Sequence, residues 1–307
     1  MPMRIVVTGA NGGLGRAFLK AVPPHHDVHP FGHADLAVED YHAVMRMVPR
    51  LAPDLVLHLA AMTGVDDCER DEARAFAVNA IGSRNVALAA RACGATVLAV
   101  STDYVFDGAK ADPYHEFDRP NPLSVYGRSK LAGEEAVRAL VPASFVVRTS
   151  WVFGAGNDFV SRAVARMADD ETVGGIVDRV GTPTYVRHLA ERLLPVALSG
   201  RFGVFHLGGP EATTWHDVLE RARRLGGLPG TVEAQKAGDL DRLAPRPANS
   251  ALTSLVAAEA GIPPMPPLEE ALADLLGRGA WRGAPPGARG ARPQPASEPP
   301  KEDRRVH

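Results

Sequence analysis

Cysteine is scarce in this chain of 307 residues: only Cys68 and Cys93 occur, and their spacing is not one that metal ligands show, so we expect no metal site. An excess of charge of one sign is also lacking, since 34 Lys and Arg stand against 36 Asp and Glu. We therefore expect neither nucleic acid nor a membrane surface as a partner. The start MPMRIVV lacks the apolar run of a signal peptide, which favours a cytoplasmic location.

Apolar residues are abundant enough for a large core. They make up 45% of the chain, and at this length they allow one large domain or two smaller ones. Residues 277–307 differ, because Pro, Gly, Ala, Arg and Ser dominate there and few side chains are available to pack. This composition predicts a disordered tail.

Strand-like and helix-like segments alternate along the first half of the chain. The predicted strands are Arg4–Thr8, Asp27–Phe31, Leu55–Leu59, Thr96–Val100 and Phe145–Arg148, and the predicted helices are Leu14–Val22, Ala73–Cys93 and Ser129–Leu140. Such alternation is typical of parallel strands joined by crossover helices. The sequence thus predicts an α/β fold, a doubly wound parallel sheet of the Rossmann type, followed by a smaller and mostly C-terminal substrate-binding lobe.

The first predicted strand runs into the turn TGANGGLG, which places Gly9, Gly12 and Gly15 three residues apart. Glycine permits the tight turn and the close approach of backbone to a pyrophosphate, and the N-terminus of the following helix offers free N–H groups to the anion. A dinucleotide is the expected cofactor, held by this turn together with Asn11 and Leu14.

The end of the second strand bears on the choice between NADPH and NADH. No carboxylate stands at Phe31-Gly32-His33 to accept the ribose hydroxyls, and Arg16 and His33 are available to a 2′-phosphate. This favours NADPH, while Asp35 just beyond leaves NADH open. We assign residues 1–150 to the NADP(H)-binding domain, completed by about 185–207, and residues 151–184 and 208–276 to the substrate lobe.

Two further motifs bear chemistry. In SVYGRSKLAGEE, Tyr126 and Lys130 are four apart and share a helix face, so we expect the ammonium to lower the phenol pKa and make Tyr126 an acid near neutral pH. In STDYVFDG, a hydroxyl at Thr102 follows a buried strand, at the sheet edge where ligands bind in such folds.

Together with the glycine turn, these residues resemble the extended short-chain dehydrogenase/reductases. The segments STDYVFDG, PYHEFDRPNPLSVYGRSKLAGE, VVRTSWVFG, GTPTY and RPANSAL are similar to the dTDP-4-dehydrorhamnose reductase family over about residues 3–276. The resemblance implies reduction of the 4-keto group of a dTDP-4-keto-6-deoxyhexose, from dTDP-4-dehydro-L-rhamnose to dTDP-L-rhamnose in the parent activity. Tyr104 stands where related dehydratases carry a glutamate, which implies a reductase without elimination chemistry.

The resemblance also implies roles for individual residues. The expected catalytic set is Thr102, Tyr126 and Lys130. The expected cofactor contacts are Gly9, Asn11, Gly12, Leu14, Gly15, Ala60, Ala61, Thr63, Tyr126 and Lys130. The expected substrate contacts are Val65, Thr102, Asp103, Tyr104, Trp151 and Arg246, although Arg246 is equally suited to anchor its own loop. Asn79 matches a helix residue that supports the catalytic loop or makes a structural hydrogen bond.

Several alternatives stay open at this point. Arg179 and His188 depart from the family pattern in the substrate lobe, so a dTDP-dihydrostreptose synthase or another antibiotic deoxysugar 4-ketoreductase is a second reading. A regulatory subunit that binds NADP and modulates methionine adenosyltransferase is a third, because fold alone does not determine function. The resemblance allows a homodimer, and leaves a requirement for Mg²⁺ open.

Overall fold

A six-stranded parallel sheet forms the centre of the computed structural model, which describes residues 1–279 and 281. Its strands are β1 (Arg4–Thr8), β2 (Asp27–Phe31), β3 (Leu55–His58), β4 (Thr96–Thr102), β5 (Ser144–Thr149) and β9 (Gly203–His206), in the order β2-β1-β3-β4-β5-β9. The chain leaves β1 toward β2 on one side and returns to β3 on the other. The carboxyl ends of β1 and β3 therefore flank the crevice where ligands bind in such sheets.

Helices cover both faces of this sheet and continue into the smaller lobe. They are α1 (Gly13–Ala21), α2 (Tyr41–Leu51), α3 (Val65–Arg70), α4 (Glu72–Phe76), α5 (Gly82–Cys93), α6 (Val125–Leu140), α7 (Phe159–Ala168), α8 (Val186–Leu198), α9 (Trp215–Gly226) and α10 (Leu268–Gly277). The predicted doubly wound α/β sheet is confirmed.

Alternate residues of the strands supply two separate cores, because successive side chains of a strand point to opposite faces. One core combines Val6, Val56 and Val97 of the sheet with Val44 of α2 and Val86 of α5. The other combines Ile5, Leu57 and Phe145 with Phe18 of α1 and Leu189 of α8. Burial on both faces explains why the strands read as continuous apolar runs in the sequence.

The predicted helix Ala73–Cys93 is interrupted. Its middle, Ala77–Ile81, winds as a π-helix between α4 and α5. The next helix in the site, α6, begins at Val125 rather than at the predicted Ser129, because the Ser124 side chain accepts a hydrogen bond from the Gly127 N–H and caps the first turn. Tyr126 therefore lies in that first turn, close to the sheet edge.

The smaller lobe has its own core and two short parallel sheets. Strand β7 (Thr172–Ile176) pairs with β10 (Thr231–Gln235), and β6 (Val152–Phe153) pairs with β8 (Thr184–Tyr185). The core of this lobe is formed by apolar residues of α7, α9 and α10, which include Val164, Leu219 and Leu272. This lobe stands over the carboxyl end of the large sheet and supplies one wall of the cleft described below.

The first residues of the predicted disordered tail belong to the folded structure. Gly277 is the last residue of α10, and the Trp281 indole packs against the core of the smaller lobe and donates to the Leu276 carbonyl at 3.4 Å. The prediction for residue 280 and for residues 282–307 lies outside the described residues. Among the residues described, no helix is long and apolar enough to cross a membrane.

Candidate active site

The turn between β1 and α1 is built so that only glycine fits at its key positions. Gly9 has a φ of 70°, and a Cβ there would lie 2.5 Å from the Ala60 backbone nitrogen. A Cβ on Gly15 would lie 2.6 Å from the Gly9 carbonyl oxygen, and the Gly12 N–H donates to that same oxygen at 3.0 Å. The turn thus holds α1 tightly against β1 and directs its N-terminus into the crevice, the arrangement that fits a dinucleotide pyrophosphate.

A cleft of about 1040 Å³ opens from this turn and runs to the smaller lobe. Most of the predicted site residues line it. Those predicted to contact the cofactor are Gly9, Gly12, Leu14, Gly15, Ala61, Thr63, Tyr126 and Lys130, and those predicted to contact the substrate are Val65, Thr102, Asp103, Tyr104, Trp151 and Arg246. The cleft therefore unites predicted residues from six separate stretches of the sequence.

Two predicted cofactor residues do not line the cleft. The Asn11 carbonyl accepts a hydrogen bond from the Arg16 guanidinium, and its side-chain amide lies against Gly32 at the end of β2. Ala60 packs its backbone beneath Gly9. The backbone of Ala60 therefore supports the turn from below.

Arg16 and His33, the residues that favoured a 2′-phosphate, are both present at the β2 end of the crevice and exposed. His33 Nε2 lies 4.0 Å from a Glu39 carboxylate oxygen. Asp35 is turned back toward the backbone, where its carboxylate accepts from the Gly32 N–H at 2.9 Å. Asp35 is the carboxylate that could accept the ribose hydroxyls of NADH, and this hydrogen bond engages one of its two oxygens.

Tyr126 lies on the floor of the cleft, held there by contacts to its helix. The Glu69 carboxylate accepts from the Val125 N–H at 3.0 Å, and the Tyr104 carbonyl approaches Gly127 so closely that a side chain there would collide with it. The rings of Tyr104 and Tyr126 meet edge to face with centroids 5.8 Å apart. The first turn of α6 is thereby fixed against the end of β4.

The predicted lowering of the Tyr126 pKa by Lys130 is wrong for this arrangement. Burial raises the pKa of Tyr126, and hydrogen bonding to Thr102 opposes that effect. The Lys130 ammonium donates to the Val100 carbonyl at 2.8 Å, and burial lowers its pKa to about 8, partly offset by Glu134. Tyr126 is consequently a phenol that keeps its proton at neutral pH, next to a hydroxyl on the adjoining strand end.

Asp103 makes contacts that its assignment to the substrate did not foresee. One carboxylate oxygen accepts from Thr102 Oγ1 at 3.0 Å, and the other accepts from Ser150 Oγ at 2.9 Å. The residue is only 3% exposed, and burial raises its pKa to about 6 against opposing hydrogen bonds, of which that of Ser250 is the largest. Asp103 lies in the cleft wall, but its oxygens are engaged by hydroxyls of the protein.

Trp151 forms one wall of the cleft in an unusual backbone conformation. Its φ is 48°, in the left-handed region, and its indole stacks on that of Trp215 with centroids 4.2 Å apart and planes 9° from parallel. Phe159 meets Trp215 edge-on at 5.0 Å. Trp215 also lines the cleft and was missed, although a tryptophan at the first residue of a helix, after the capping Thr214, is a visible signal in the sequence.

Arg246 is engaged by another part of the chain. Its guanidinium forms a bidentate pair with the Asp66 carboxylate at 3.0 and 3.2 Å and also donates to the Ala244 carbonyl. Of the two roles expected for it, the structure therefore supports the anchoring of its loop, here to α3. Arg242 also lines the cleft and was missed; within the described residues it forms no ion pair.

Titratable side chains do not gather into a metal-binding cluster anywhere in residues 1–279 and 281. No group of three or more His, Cys, Asp or Glu there has the geometry to hold a metal ion. Cys68 is buried beside the cleft and Cys93 is half-buried, and both are free thiols.

Comparisons with known proteins agree with this architecture. The model of the RmlD substrate binding domain family matches residues 3–280. A dTDP-4-dehydrorhamnose reductase of Mycolicibacterium smegmatis is 38% identical over 282 residues, which cover 90% of this chain and 86% of the relative. One from Streptomyces griseus is also 38% identical, over 85% of this chain and 89% of the relative.

Solved structures are similar over nearly the whole chain. The dTDP-4-dehydrorhamnose reductase of Bacillus anthracis, in complex with NADP, superposes with a TM-score of 0.87 at 32% identity and covers 91% of this chain and 100% of its own. A UDP-glucose 4-epimerase from Thermus thermophilus, at 22% identity and a TM-score of 0.79, shares the fold. On the family model and these relatives, the chain belongs to the dTDP-4-dehydrorhamnose reductase family.

Proposed function

We propose that this protein reduces the 4-keto group of a dTDP-4-keto-6-deoxyhexose with NADPH. The observation that carries the proposal is the meeting of Thr102, Tyr126 and Lys130 on the floor of the cleft that begins at the glycine turn. A hydroxyl, a protonated phenol and an ammonium are thus collected beside the place where a dinucleotide fits. The relatives named as dTDP-4-dehydrorhamnose reductases support the substrate class.

The cofactor would be held along the crevice by the glycine turn and by Ala61 and Thr63 after β3. NADP in the structure of the Bacillus anthracis relative supports this cofactor, and NADPH supplies the hydride when it is bound. Lys130 would bind the nicotinamide ribose. Its ammonium lies at the inner end of the cleft, where the Val100 carbonyl positions it by a hydrogen bond of 2.8 Å.

Tyr126 would donate the proton that the carbonyl oxygen acquires during reduction. A proton donor must hold its proton until the oxygen becomes basic, and burial ensures this by raising the pKa of the phenol. The Thr102 hydroxyl accepts from the Tyr104 N–H at 3.2 Å and donates to Asp103 at 3.0 Å. It would turn its single proton from Asp103 to the carbonyl oxygen of the bound sugar and so orient that oxygen beside Tyr126. These side chains supply geometry and electrostatic stabilisation to the developing charge.

The sugar would lie between Val65, Tyr104 and the Trp151 indole, which form an apolar surface around its deoxy methyl group. We assign residues 1–150 and 185–207 to the domain that holds the cofactor, and residues 151–184 and 208–276 to the lobe that covers the substrate. The scheme uses no Mg²⁺ ion in any step. A homodimer and a cytoplasmic location complete the proposal, and light scattering of the purified protein tests the first of these.

The test is to incubate the protein with NADPH and dTDP-4-keto-6-deoxyglucose, with and without a 3,5-epimerase that supplies the epimerised isomer. We expect NADPH oxidation with the isomer and none with dTDP-glucose, because the site provides for reduction of a ketone that is already present. No oxidation with either keto-sugar would refute the proposal.

A second candidate differs only in the sugar. A relative from Streptomyces antibioticus that is named a probable dTDP-4,6-dihydroxy-2-methyloxan-3-one 4-ketoreductase is 37% identical over 255 residues, 81% of this chain and 86% of the relative. The stereochemistry of the product, read by NMR, separates the two: L-rhamnose supports the first candidate, and another deoxysugar supports the second.

A further inference from the structure

A row of buried hydrogen bonds crosses the molecule beneath the cleft. Thr8 Oγ1, at the end of β1, lies 2.7 Å from His58 Nδ1, at the end of β3. The other ring nitrogen, His58 Nε2, lies 3.0 Å from Ser83 Oγ on α5, and Ser83 donates in turn to the Asn79 carbonyl at 2.6 Å. All four residues are at most 3% exposed, so water does not compete for these groups.

The direction of each hydrogen bond in this row follows from counting protons. Ser83 has a single hydroxyl proton, which it gives to the Asn79 carbonyl, so toward His58 it can only accept. His58 therefore carries its proton on Nε2, and its bare Nδ1 accepts the proton of Thr8. Burial and the nearby charge of Lys130 lower the pKa of His58 to about 3, which keeps the ring neutral and the order of donors intact.

Asn79 continues the row to the catalytic helix. Its side-chain amide donates to Ser129 Oγ at 3.0 Å and to the Met62 carbonyl at 3.0 Å, and its side-chain oxygen accepts from the Met62 N–H at 2.8 Å. Ser129 then donates to the Tyr126 carbonyl at 2.9 Å. The π-helix Ala77–Ile81, which contains Asn79, packs against α6 at Gly133, where a side chain would collide with the Asn79 carbonyl.

Each end of the row adjoins a part of the cleft. Thr8 directly precedes Gly9 of the glycine turn, Met62 stands between Ala61 and Thr63, and Ser129 directly precedes Lys130. The row thus joins the turn, the loop after β3 and the helix that carries Tyr126 through buried side chains and a few backbone groups, among them the Asn79 carbonyl. His58 is its central member, because one ring nitrogen of His58 contacts Thr8 and the other contacts Ser83.

We propose that His58 is a positioning residue that, with Thr8 and Ser83, sets the spacing between the glycine turn and the helix that carries Tyr126 and Lys130. The inference rests on the proposed function, and it adds residues that touch neither cofactor nor substrate. A displacement of α6 by a fraction of an ångström alters the alignment of proton donor and hydride donor more than it alters binding. The loss should therefore fall on turnover.

Two substitutions break the row on either side of His58. Thr8→Val keeps the shape of the side chain and removes the donor to Nδ1, and Ser83→Ala removes the acceptor of Nε2–H. Thr8→Ser keeps the hydroxyl and serves as the matched rescue. Thr184→Val is the control for the loss of a buried threonine hydroxyl, because Thr184 is also fully buried and donates to the Thr182 carbonyl, outside the row and the cleft lining.

For Thr8→Val and Ser83→Ala we expect kcat to fall at least about tenfold, the scale of about one lost buried hydrogen bond, with NADPH Kd and substrate KM within about threefold of wild type. Thr8→Ser should recover most of the turnover, and Thr184→Val should leave it unchanged. A kcat within about threefold of wild type in both row variants would overturn the proposal, as would an equal loss in Thr184→Val.

A second readout does not depend on turnover. The chain has five tyrosines, and with 13Cζ-labelled tyrosine the Tyr126 signal is the one missing from Tyr126→Phe. In the NADPH complex, Thr8→Val and Ser83→Ala should move that signal, and Thr184→Val should leave it in place. An unmoved Tyr126 signal in both row variants overturns the positioning role. If the wild type reduces no keto-sugar, the proposed function fails, and this measurement still decides whether the row positions Tyr126.

Discussion

The Arg148 guanidinium and the Glu134 carboxylate form a buried bidentate ion pair between β5 and α6, the helix that carries Tyr126 and Lys130. The distances are 2.7 Å from Nη2 to Oε2 and 3.0 Å from Nε to Oε1, and each side chain is only 3% exposed. The guanidinium also lies over the Phe106 ring, 5.3 Å from its centroid. The pair fastens the middle of α6 to the sheet, one turn beyond Lys130.

Removal of one partner leaves the other charge buried without compensation. Glu134→Gln should therefore lower the free energy of unfolding by about 3–5 kcal/mol, measured by urea denaturation. The double variant Glu134→Leu with Arg148→Met is the control, because it removes both charges. Its loss of unfolding free energy should be smaller than the sum of the losses measured for Glu134→Leu and Arg148→Met alone. Losses that simply add would contradict a coupled pair.

Tyr126→Phe tests the proposed proton donor. Without the phenolic proton, kcat should fall by at least about a hundredfold, the usual scale of general acid catalysis, while the NADPH Kd stays close to that of wild type. Tyr114→Phe is the matched control: its hydroxyl donates to Asp107 at 2.8 Å, away from the cleft lining, and its loss should leave kcat near normal. Turnover that survives in Tyr126→Phe would remove Tyr126 from the proposed mechanism.

Much of the fold could be read from the sequence because its signals are local. Short runs of residues predict the strand Asp27–Phe31 and the glycine turn, and the structure has both at the predicted positions. Segment boundaries depended on side chains that cap or bend a helix. The Ser124 cap moved the start of α6 to Val125, and the π-helix Ala77–Ile81 divided one predicted helix into three pieces.

The site was less accessible for a physical reason: its pairings join distant parts of the chain. Arg246 meets Asp66 across 180 positions, and no local pattern states which arginine a carboxylate will engage. The stacking of Trp151 on Trp215 and the approach of His58 to Thr8 have the same origin. The pKa of Tyr126 was misjudged because helix spacing places Lys130 on the same face, whereas tertiary structure directs its ammonium to the Val100 carbonyl.

Arg242 is the cleft arginine that we expect to meet the diphosphate of the substrate. Arg246 is paired with Asp66, whereas Arg242 lines the cleft and has no ion-pair partner among residues 1–279 and 281. Loss of a charge-assisted hydrogen bond to phosphate should raise KM about tenfold in Arg242→Gln with kcat little changed. Arg242→Lys keeps the charge and should fall between. A KM unchanged in Arg242→Gln would exclude the contact.

Trp215 should matter to the substrate through Trp151, on which it stacks. Trp215→Ala removes the support behind the Trp151 indole and should raise KM several-fold, since an aromatic pair contributes about 0.5–1.5 kcal/mol beyond its buried area. Trp215→Phe keeps part of the stack and is the control. In steady-state kinetics with the keto-sugar, KM should increase in the order wild type, Trp215→Phe, Trp215→Ala. Equal KM values for Trp215→Ala and Trp215→Phe would contradict this prediction.

The buried carboxyl group of Asp103 should make the free energy of unfolding depend on pH. Burial raises its pKa from an ordinary value of 3.8 to about 6 in the folded protein, which means that folding favours the protonated acid. The contribution of Asp103 to the free energy of unfolding is therefore fully present below pH 4 and is lost as the pH rises through 6. The free energy of unfolding changes by about 3 kcal/mol in total, at about 1.4 kcal/mol for each pKa unit. Asp103→Asn resembles the protonated acid at every pH, because its amide can both accept and donate among the hydroxyls of Thr102 and Ser150.

The difference in unfolding free energy between Asp103→Asn and wild type isolates this one group, since all other titrating residues are common to both proteins. It should shift in favour of Asp103→Asn by up to about 3 kcal/mol between pH 4 and pH 7, and stay level above pH 7. Urea denaturation at intervals of half a pH unit measures the curve. A difference that is constant over this range would show that the hydroxyl partners fully offset the burial of the carboxylate, and a shift toward wild type as the pH rises would show that they outweigh it; either result would contradict the raised pKa.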